Sequence, residues 1–320
     1  MSVAQKAVPE PRLDETSAAV ESAIARVSEV VVGKEHVIRL AMACLLARGH
    51  LLIEDLPGVG KTTLSQALGA ALGLEAGRVQ FTSDLLPADV LGVSVFDRNS
   101  GEFQFHKGPI FTQLLLADEV NRATPKTQSA LLEAMEERQV TIEGTTRALP
   151  QPFFVIATQN PARQVGTFPL PESQLDRFLI RVEIGYPDAQ SERDLLKGAD
   201  RRQVLASLEP AMTPKMLLDA QVAVPSVHVS DALVDYLQGL LAYTRESPDF
   251  ETGLSPRAGI ALVRAAQSWA LMHARGHVLP EDLQRVFAAV VGHRLAGSGD
   301  AQGAGPQDLA NHLLHAVPIP

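Results

Sequence analysis

The 320-residue sequence predicts an α/β fold: a parallel sheet covered by helices, followed by a second domain that is all helix. Three observations predict it. A short apolar run at 50–54 passes through a glycine-rich turn into a helix-forming run at 63–72. Further strand-like apolar runs recur at 79–82, 113–117, 153–158 and 178–184, with helical stretches between several of them. Past Tyr186-Pro187-Asp188 such runs nearly vanish, and amphipathic helical stretches take over around 230–243, 256–274 and 280–291.

Each element follows from its local pattern. After a polar leader, apolar positions over 20–32 recur at helical spacing, and a second helical run at 36–46 follows the break at Val32-Gly33-Lys34. Two helices therefore precede the first strand. Two pieces interrupt the later alternation and are expected as hairpins: 93–96 with 102–105 around a polar turn, and 139–143 with 145–148 around Gly144. The expected domains are an α/β core over 1–188, a helical domain over 189–296, and a flexible tail over 297–320 that follows the Gly-, Ser- and Ala-rich stretch 292–305.

Charge and cysteine use narrow the function classes. Lys and Arg number 28 against 37 Asp and Glu, a net charge of −9, so no overall positive field draws the chain to nucleic acid or anionic lipid. A single cysteine, Cys44, excludes an intramolecular disulfide and a multi-thiolate metal site. The first fifteen residues lack the apolar core of a signal peptide and no apolar run reaches membrane-spanning length, so a cytoplasmic location is expected.

Three segments carry chemistry. In Pro57-Gly58-Val59-Gly60-Lys61-Thr62-Thr63, small residues free successive backbone N–H groups to face a triphosphate, with a helix N-terminus behind them. Lys61 supplies a fixed cation, and Thr62 a hydroxyl suited to Mg²⁺. Asp55 stands where the Gly-x-x-x-x-Gly-Lys-Thr pattern has its first glycine, and a carboxylate there repels a triphosphate unless it turns away. The bland alternative is a loop with a chance Gly-Lys-Thr.

The second segment is the apolar strand 113–117, which delivers Asp118 and Glu119 at its carboxyl end, the edge where open α/β sheets bind ligands. Asp118 would hold Mg²⁺ through its water shell, and Glu119 would orient and deprotonate the attacking water. Alone, such a pair is a solvated strand end; its occurrence about fifty residues after Gly-Lys-Thr favours an ATPase. The third is the strand ending in Gln159-Asn160-Pro161, where the Asn160 amide could hold the lytic water or the γ-phosphate. By itself Asn before Pro is a turn signal.

With these residues in view, the sequence resembles the AAA+ ATPases, and within them the MoxR family of the clade with a helix-2 insertion. The resemblance runs through the twenty residues 118–137, Thr158-Gln159-Asn160-Pro161, Phe168 to Phe178, and Leu254-Ser255-Pro256-Arg257-Ala258. It implies a P-loop αβα parallel-sheet core followed by an all-α lid domain, with Asp118-Glu119 as Walker B and Asn160 as sensor 1. It further implies that Arg177 is an arginine finger reaching a neighbour's nucleotide, that Arg257 is sensor 2, and that Val32 and Gly33 pack on adenine. Arg122 is a further interface candidate.

From the resemblance follow ATP and Mg²⁺ as cofactors, a homo-oligomeric hexameric ring, a protein client matured in chaperone-like fashion, and a partner with a von Willebrand factor A domain. The two hairpins match the helix-2 and pre-sensor-1 insertions, which face the pore or partner in related rings; the plain alternative is surface hairpins that cap the sheet. Arg177 taken alone is an arginine at a helix end making a surface salt bridge. Two competing functions are a nucleic-acid motor of the same clade and a slow nucleotide-gated binding module.

Other signals carry less. His273 and His277 lie four apart on an expected helix but lack a third ligand. Trp269 falls at helical spacing with Leu262, Ala266 and Met272, the pattern of lid core. Glu133, Glu136 and Glu137 are expected on the solvated face of the helix after Walker B.

Overall fold

The computed structural model of the protein describes residues 13–160, 166–198 and 200–319. The leader up to residue 12 and Pro161 lie outside the described residues. Helices α1 (Leu13–Val30) and α2 (Glu35–Leu46) precede β1 (Leu51–Glu54), as the sequence predicts. Then come α3 (Lys61–Ala71), β2 (Ala76–Gln80), α4 (Pro87–Leu91), β3 (Gly92–Asp97), β4 (Glu102–Lys107) and β5 (Leu114–Asp118). Next are α5 (Pro125–Glu137), β6 (Gln139–Ile142), β7 (Thr145–Ala148), β8 (Phe154–Gln159), α6 (Glu172–Leu175) and β9 (Ile180–Val182).

Five of these strands form one parallel sheet in the order β2-β5-β8-β1-β9. Burial on both faces explains why its strands are continuously apolar. Alternate residues serve opposite faces: Leu51, Ile53, Leu114, Leu116 and Ile156 join one core, while Leu52, Leu115, Ala117, Val155 and Ala157 join the other. Register pairs Ile53 with Thr158 and Gln80 with Asp118, so the carboxyl ends of β1, β2, β5 and β8 share one edge. The antiparallel pairs β3–β4 and β6–β7 stand apart from this sheet as separate two-stranded ribbons.

Beyond β9 the described chain is helical: α7 (Ala189–Lys197), α8 (Arg201–Ala206), α9 (Pro214–Ala223), α10 (Asp231–Glu246), α11 (Pro256–Met272), α12 (Pro280–Val291) and α13 (Pro306–Ala316). Helix starts follow sequence punctuation: Thr213-Pro214, Ser230 and Ser255-Pro256 place a capping hydroxyl at the N-cap, with Pro at the first helical position of α9 and α11.

Two expectations are corrected here. The tail expected as flexible contains α13, whose Leu309, Ala310 and Leu313 are buried where it packs on α12 and α10; this short apolar stripe needs only one neighbouring face to cover it. His273 and His277 do not share a helix, because α11 ends at Met272 and His277 lies in the extended segment that bridges to His228. Among the described residues no three His, Cys, Asp or Glu side chains are grouped to hold a metal.

Candidate functional site

The loop between β1 and α3 takes its shape from two glycines. Gly58 (φ +87°) and Gly60 (φ +99°) lie in the left-handed region, and open space surrounds the position a Cβ would take at either, so backbone conformation alone selects glycine. Gly60 is the N-cap of α3, whose first turn is Lys61, Thr62 and Thr63. The four leading N–H groups of that helix, unpaired within it, make a terminus suited to an anion.

Lys61 is buried, and its ammonium donates to the Asp55 carbonyl (2.7 Å) and to Asn160 Oδ1 (3.1 Å). Burial lowers its pKa, while the nearby carboxylates of Asp118, Asp55 and Glu119 act the other way. Asp55 is less awkward than its sequence position suggests: Oδ1 accepts from the Leu56 N–H (2.7 Å) and Oδ2 from the Gly185 N–H (2.6 Å). Both carboxylate oxygens are thus engaged with backbone, one of them in the segment that leads from β9 to α7.

At the end of β5, Asp118 Oδ1 accepts from the Thr158 hydroxyl (2.6 Å) and Oδ2 pairs with Arg78 (2.7 Å). Glu119 adopts a left-handed conformation (φ +57°), and its N–H donates to the same Thr158 hydroxyl oxygen (2.8 Å). Glu119 Oε1 accepts from the Asn160 amide (3.1 Å), and Oε2 pairs with Arg122 (3.0 Å). Asn160 therefore bridges Glu119 and Lys61, joining the phosphate loop, the β5 acids and the β8 end in one network. Arg78 and the role of Thr158 were missed in the sequence. Thr158 could have been found as a hydroxyl at a buried strand end, whereas nothing local marks an arginine on β2.

The donor set suits Mg²⁺: Asp118 and the Thr62 hydroxyl are oxygen ligands, and this ion commonly takes one or two protein ligands beside water and phosphate oxygens. Val32 and Gly33 sit in the turn between α1 and α2. Gly33 (φ +71°) lies so close to Ser191 and Asp188 that a Cβ would meet Ser191 Oγ at 2.2 Å.

Arg177 and Arg257 lie apart from that network. Arg177 donates to the Leu132 carbonyl (2.8 Å) and pairs with Glu136 (3.0 Å). Arg257, in the first turn of α11, forms a short ion pair with Glu136 and reaches Asp176 at 3.7 Å. No hydrogen bond or ion pair of either arginine, among the described residues, runs to Lys61, Asp118, Glu119 or Asn160. Glu133, Glu136 and Glu137 are exposed, as expected, but Glu136 also pairs with two arginines that sequence spacing could not bring to it. Both border a cavity of about 200 Å³ that Arg48, Arg138 and Arg264 also line. Burial and the charges of Arg48 and Arg264 lower the Arg138 pKa.

Comparison with known proteins converges on one family. A model described as "ATPase family associated with various cellular activities (AAA)" matches residues 50–180, and one for the AAA lid domain matches 242–312. Chaperone MoxR1 of Mycobacterium tuberculosis is 37% identical over 94% of this chain and 82% of its own. Protein MoxR of Paracoccus denitrificans is 32% identical over 85% and 86%, and YeaC of Bacillus subtilis, itself uncharacterised, is 43% identical over 93% and 94%. The crystal structure of a putative ATPase from Cytophaga hutchinsonii superposes with a TM-score of 0.87 at 35% identity, covering 97% of this chain and 98% of that one. A minichromosome-maintenance homologue from Methanopyrus kandleri, at 18% identity and a TM-score of 0.57 over 88% and 61% of the two chains, shares the fold alone.

Proposed function

The chain belongs to the MoxR family of AAA+ ATPases, and from that premise we propose that it binds ATP with Mg²⁺, hydrolyses it within a homo-oligomeric ring, and uses the cycle to remodel a client protein. The observation that carries this reading is the Lys61–Asn160–Glu119 bridge beside Asp118, all at one sheet edge.

In this reading the amides of residues 58–62 and the Lys61 ammonium hold the phosphates, and Thr62 with Asp118 would hold Mg²⁺. The bound ion would offset phosphate charge. Glu119, aligned by Thr158 and Asn160, accepts the proton of the attacking water, and Asn160 keeps that water in line. Val32 and Gly33 would flank adenine. Among the described residues Arg177 and Arg257 make no hydrogen bond or ion pair with Lys61, Asp118, Glu119 or Asn160, which favours their acting on a nucleotide held by the adjacent copy, where guanidinium charge stabilises the transition state. We take the core to end near residue 188, with α7–α13 forming the lid.

A client surface finds support in the β3–β4 hairpin, where Val95, Phe96 and Phe103 are exposed apolar side chains. No helix among the described residues is long and apolar enough to cross a membrane.

The test is turnover of the purified protein with Mg²⁺ and ATP against Glu119→Gln. Loss of a positioned base is expected to lower kcat by roughly 10²–10⁴-fold while ATP binding persists. Wild-type turnover in that variant, or hydrolysis that requires added nucleic acid, would defeat the proposal.

A further inference from the structure

Glu136 occupies an unusual place for a helix-surface carboxylate. It lies in the last turn of α5, next to the negative end of the helix dipole, while Arg257 lies in the first turn of α11, at a positive end. Each charge is on the locally unfavourable end of its helix. Their pairing across the boundary between core and helical region offsets both penalties, and Arg177 adds a second guanidinium to the same carboxylate at 3.0 Å.

The surroundings hold only a weaker substitute, because Asp176 reaches Arg257 at 3.7 Å and, among the described residues, makes no ion pair with Arg177. Arg48, Arg138 and Arg264 line the same cavity and make no ion pair among the described residues. Asp176, the other carboxylate there, is held by the buried Arg294 at 2.6 Å. Without Glu136, Arg177 and Arg257 would repel each other and the cations around them. With it, they are drawn together, while the Nε of each and Arg177 Nη2 carry no hydrogen bond to the described residues. Two guanidiniums gathered with N–H groups to spare match a polyphosphate better than either alone.

We propose that Glu136 is a positioning residue for hydrolysis: it aligns Arg177 and Arg257 as one unit that engages the triphosphate bound by the adjacent copy. This rests on the ring-ATPase reading above. A misplacement of about 1 Å in such a group can cost on the order of 10²-fold in rate.

The experiment compares wild type, Arg177→Ala, Arg257→Ala, Glu136→Gln, Glu136→Asp and the Glu136→Gln/Arg257→Ala double variant. It measures kcat, KM, ADP affinity and melting temperature at concentrations where oligomer size matches wild type. Glu136→Gln is expected to lower kcat by about 10-fold or more, leaving KM and ADP affinity within about twofold because the Lys61 network is intact. Glu136→Asp should fall between it and wild type, and the double variant should be no slower than the slower single variant, since the residues act as a unit.

A folded Glu136→Gln protein with kcat within twofold of wild type or above it, or a double variant whose losses multiply, overturns the inference. If Glu136→Gln fails to fold, Glu136→Asp decides, and a kcat within twofold of wild type overturns it. If Arg177→Ala itself leaves kcat unchanged, it is the trans-arginine reading that fails, and the alignment of Glu136 falls with it.

Discussion

Thr158→Val tests the joint on which both acids depend. The Thr158 side chain is buried, and its hydroxyl donates to Asp118 Oδ1 at 2.6 Å while accepting the Glu119 N–H at 2.8 Å. Valine keeps the volume and the β-branched shape that suits β8, so no cavity opens and strand preference is unchanged. What disappears is one hydrogen bond to a carboxylate, about 1.5–3 kcal/mol, and the partner of a backbone N–H, about 1–3 kcal/mol when left unsatisfied. The two losses share one hydroxyl and relax together, so about 3 kcal/mol is expected, which lowers the melting temperature on the order of 5–10 °C. Glu119 also loses the contact that fixes its left-handed turn, so kcat should fall about tenfold while ATP affinity changes little. Calorimetric melting and steady-state ATP turnover read the two effects separately, and Thr158→Ser should recover most of both. A Thr158→Val protein that melts within about 1 °C of wild type and turns over normally would refute the assignment of Thr158 as the shared support.

Two further outcomes follow from the same structure. Asp55→Ala removes the acceptor of the Leu56 and Gly185 N–H groups and should destabilise by about 1–2 kcal/mol, read as a lower denaturant midpoint, with Asp55→Asn intermediate; unchanged midpoints in both would show that this tether is idle. His50 is buried with Nδ1 accepting from the Val155 N–H and Nε2 against the Met135 carbonyl, an arrangement that requires the neutral ring, and burial lowers its pKa to about 4. Because the unfolded chain protonates near 6.5, this contribution is fully present above that pH and is lost as pH falls toward 4, by roughly 3 kcal/mol. His293, also buried and also lowered, acts in the same direction. Melting temperature followed from pH 7 to pH 4 should fall less steeply in His50→Gln than in wild type, and parallel curves would contradict the assignment.

The residues legible in the sequence are those whose pattern is complete within a short stretch of chain. Gly58, Gly60 and Lys61 mark a strand-to-helix turn by their spacing, and Asp118 with Glu119 mark the polar end of an apolar strand. The two hairpins were legible from the same kind of local pattern, whereas the strand order was not. What stayed hidden depends on long-range approach. Glu136 sits at a helix position that reads as solvated until Arg177 and Arg257, 41 and 121 residues away, fold onto it. Arg78 reaches Asp118 only because β2 and β5 are neighbours, a pairing that no spacing reports. The α13 stripe is short enough to resemble a tail, and only its burial against α12 and α10 makes it a structural element.

One element ties the separated parts together. Helix α5 begins six residues after Glu119, capped by Thr124 with Pro125 at its first position, and the Thr127 hydroxyl bonds the Leu85 carbonyl before α4. Its last turn carries Glu136 between the two arginines, and it leads within two residues into β6. The β6–β7 hairpin returns Arg147 onto the Phe105 ring at 3.9 Å, joining it to the exposed β3–β4 hairpin. Thirteen helical residues make a rod about 20 Å long, packed along the second core through Leu131, Leu132 and Met135. A packed helix shifts as a body rather than bending, because its neighbours are close-packed and offer no slack. A displacement of the Glu119 turn therefore has a direct mechanical route, by way of α5, to the Arg177–Arg257 pair at one end and to both hairpins beyond it. Glu119, Glu136 and both hairpins thus lie on one continuous length of chain, from β3 to β7.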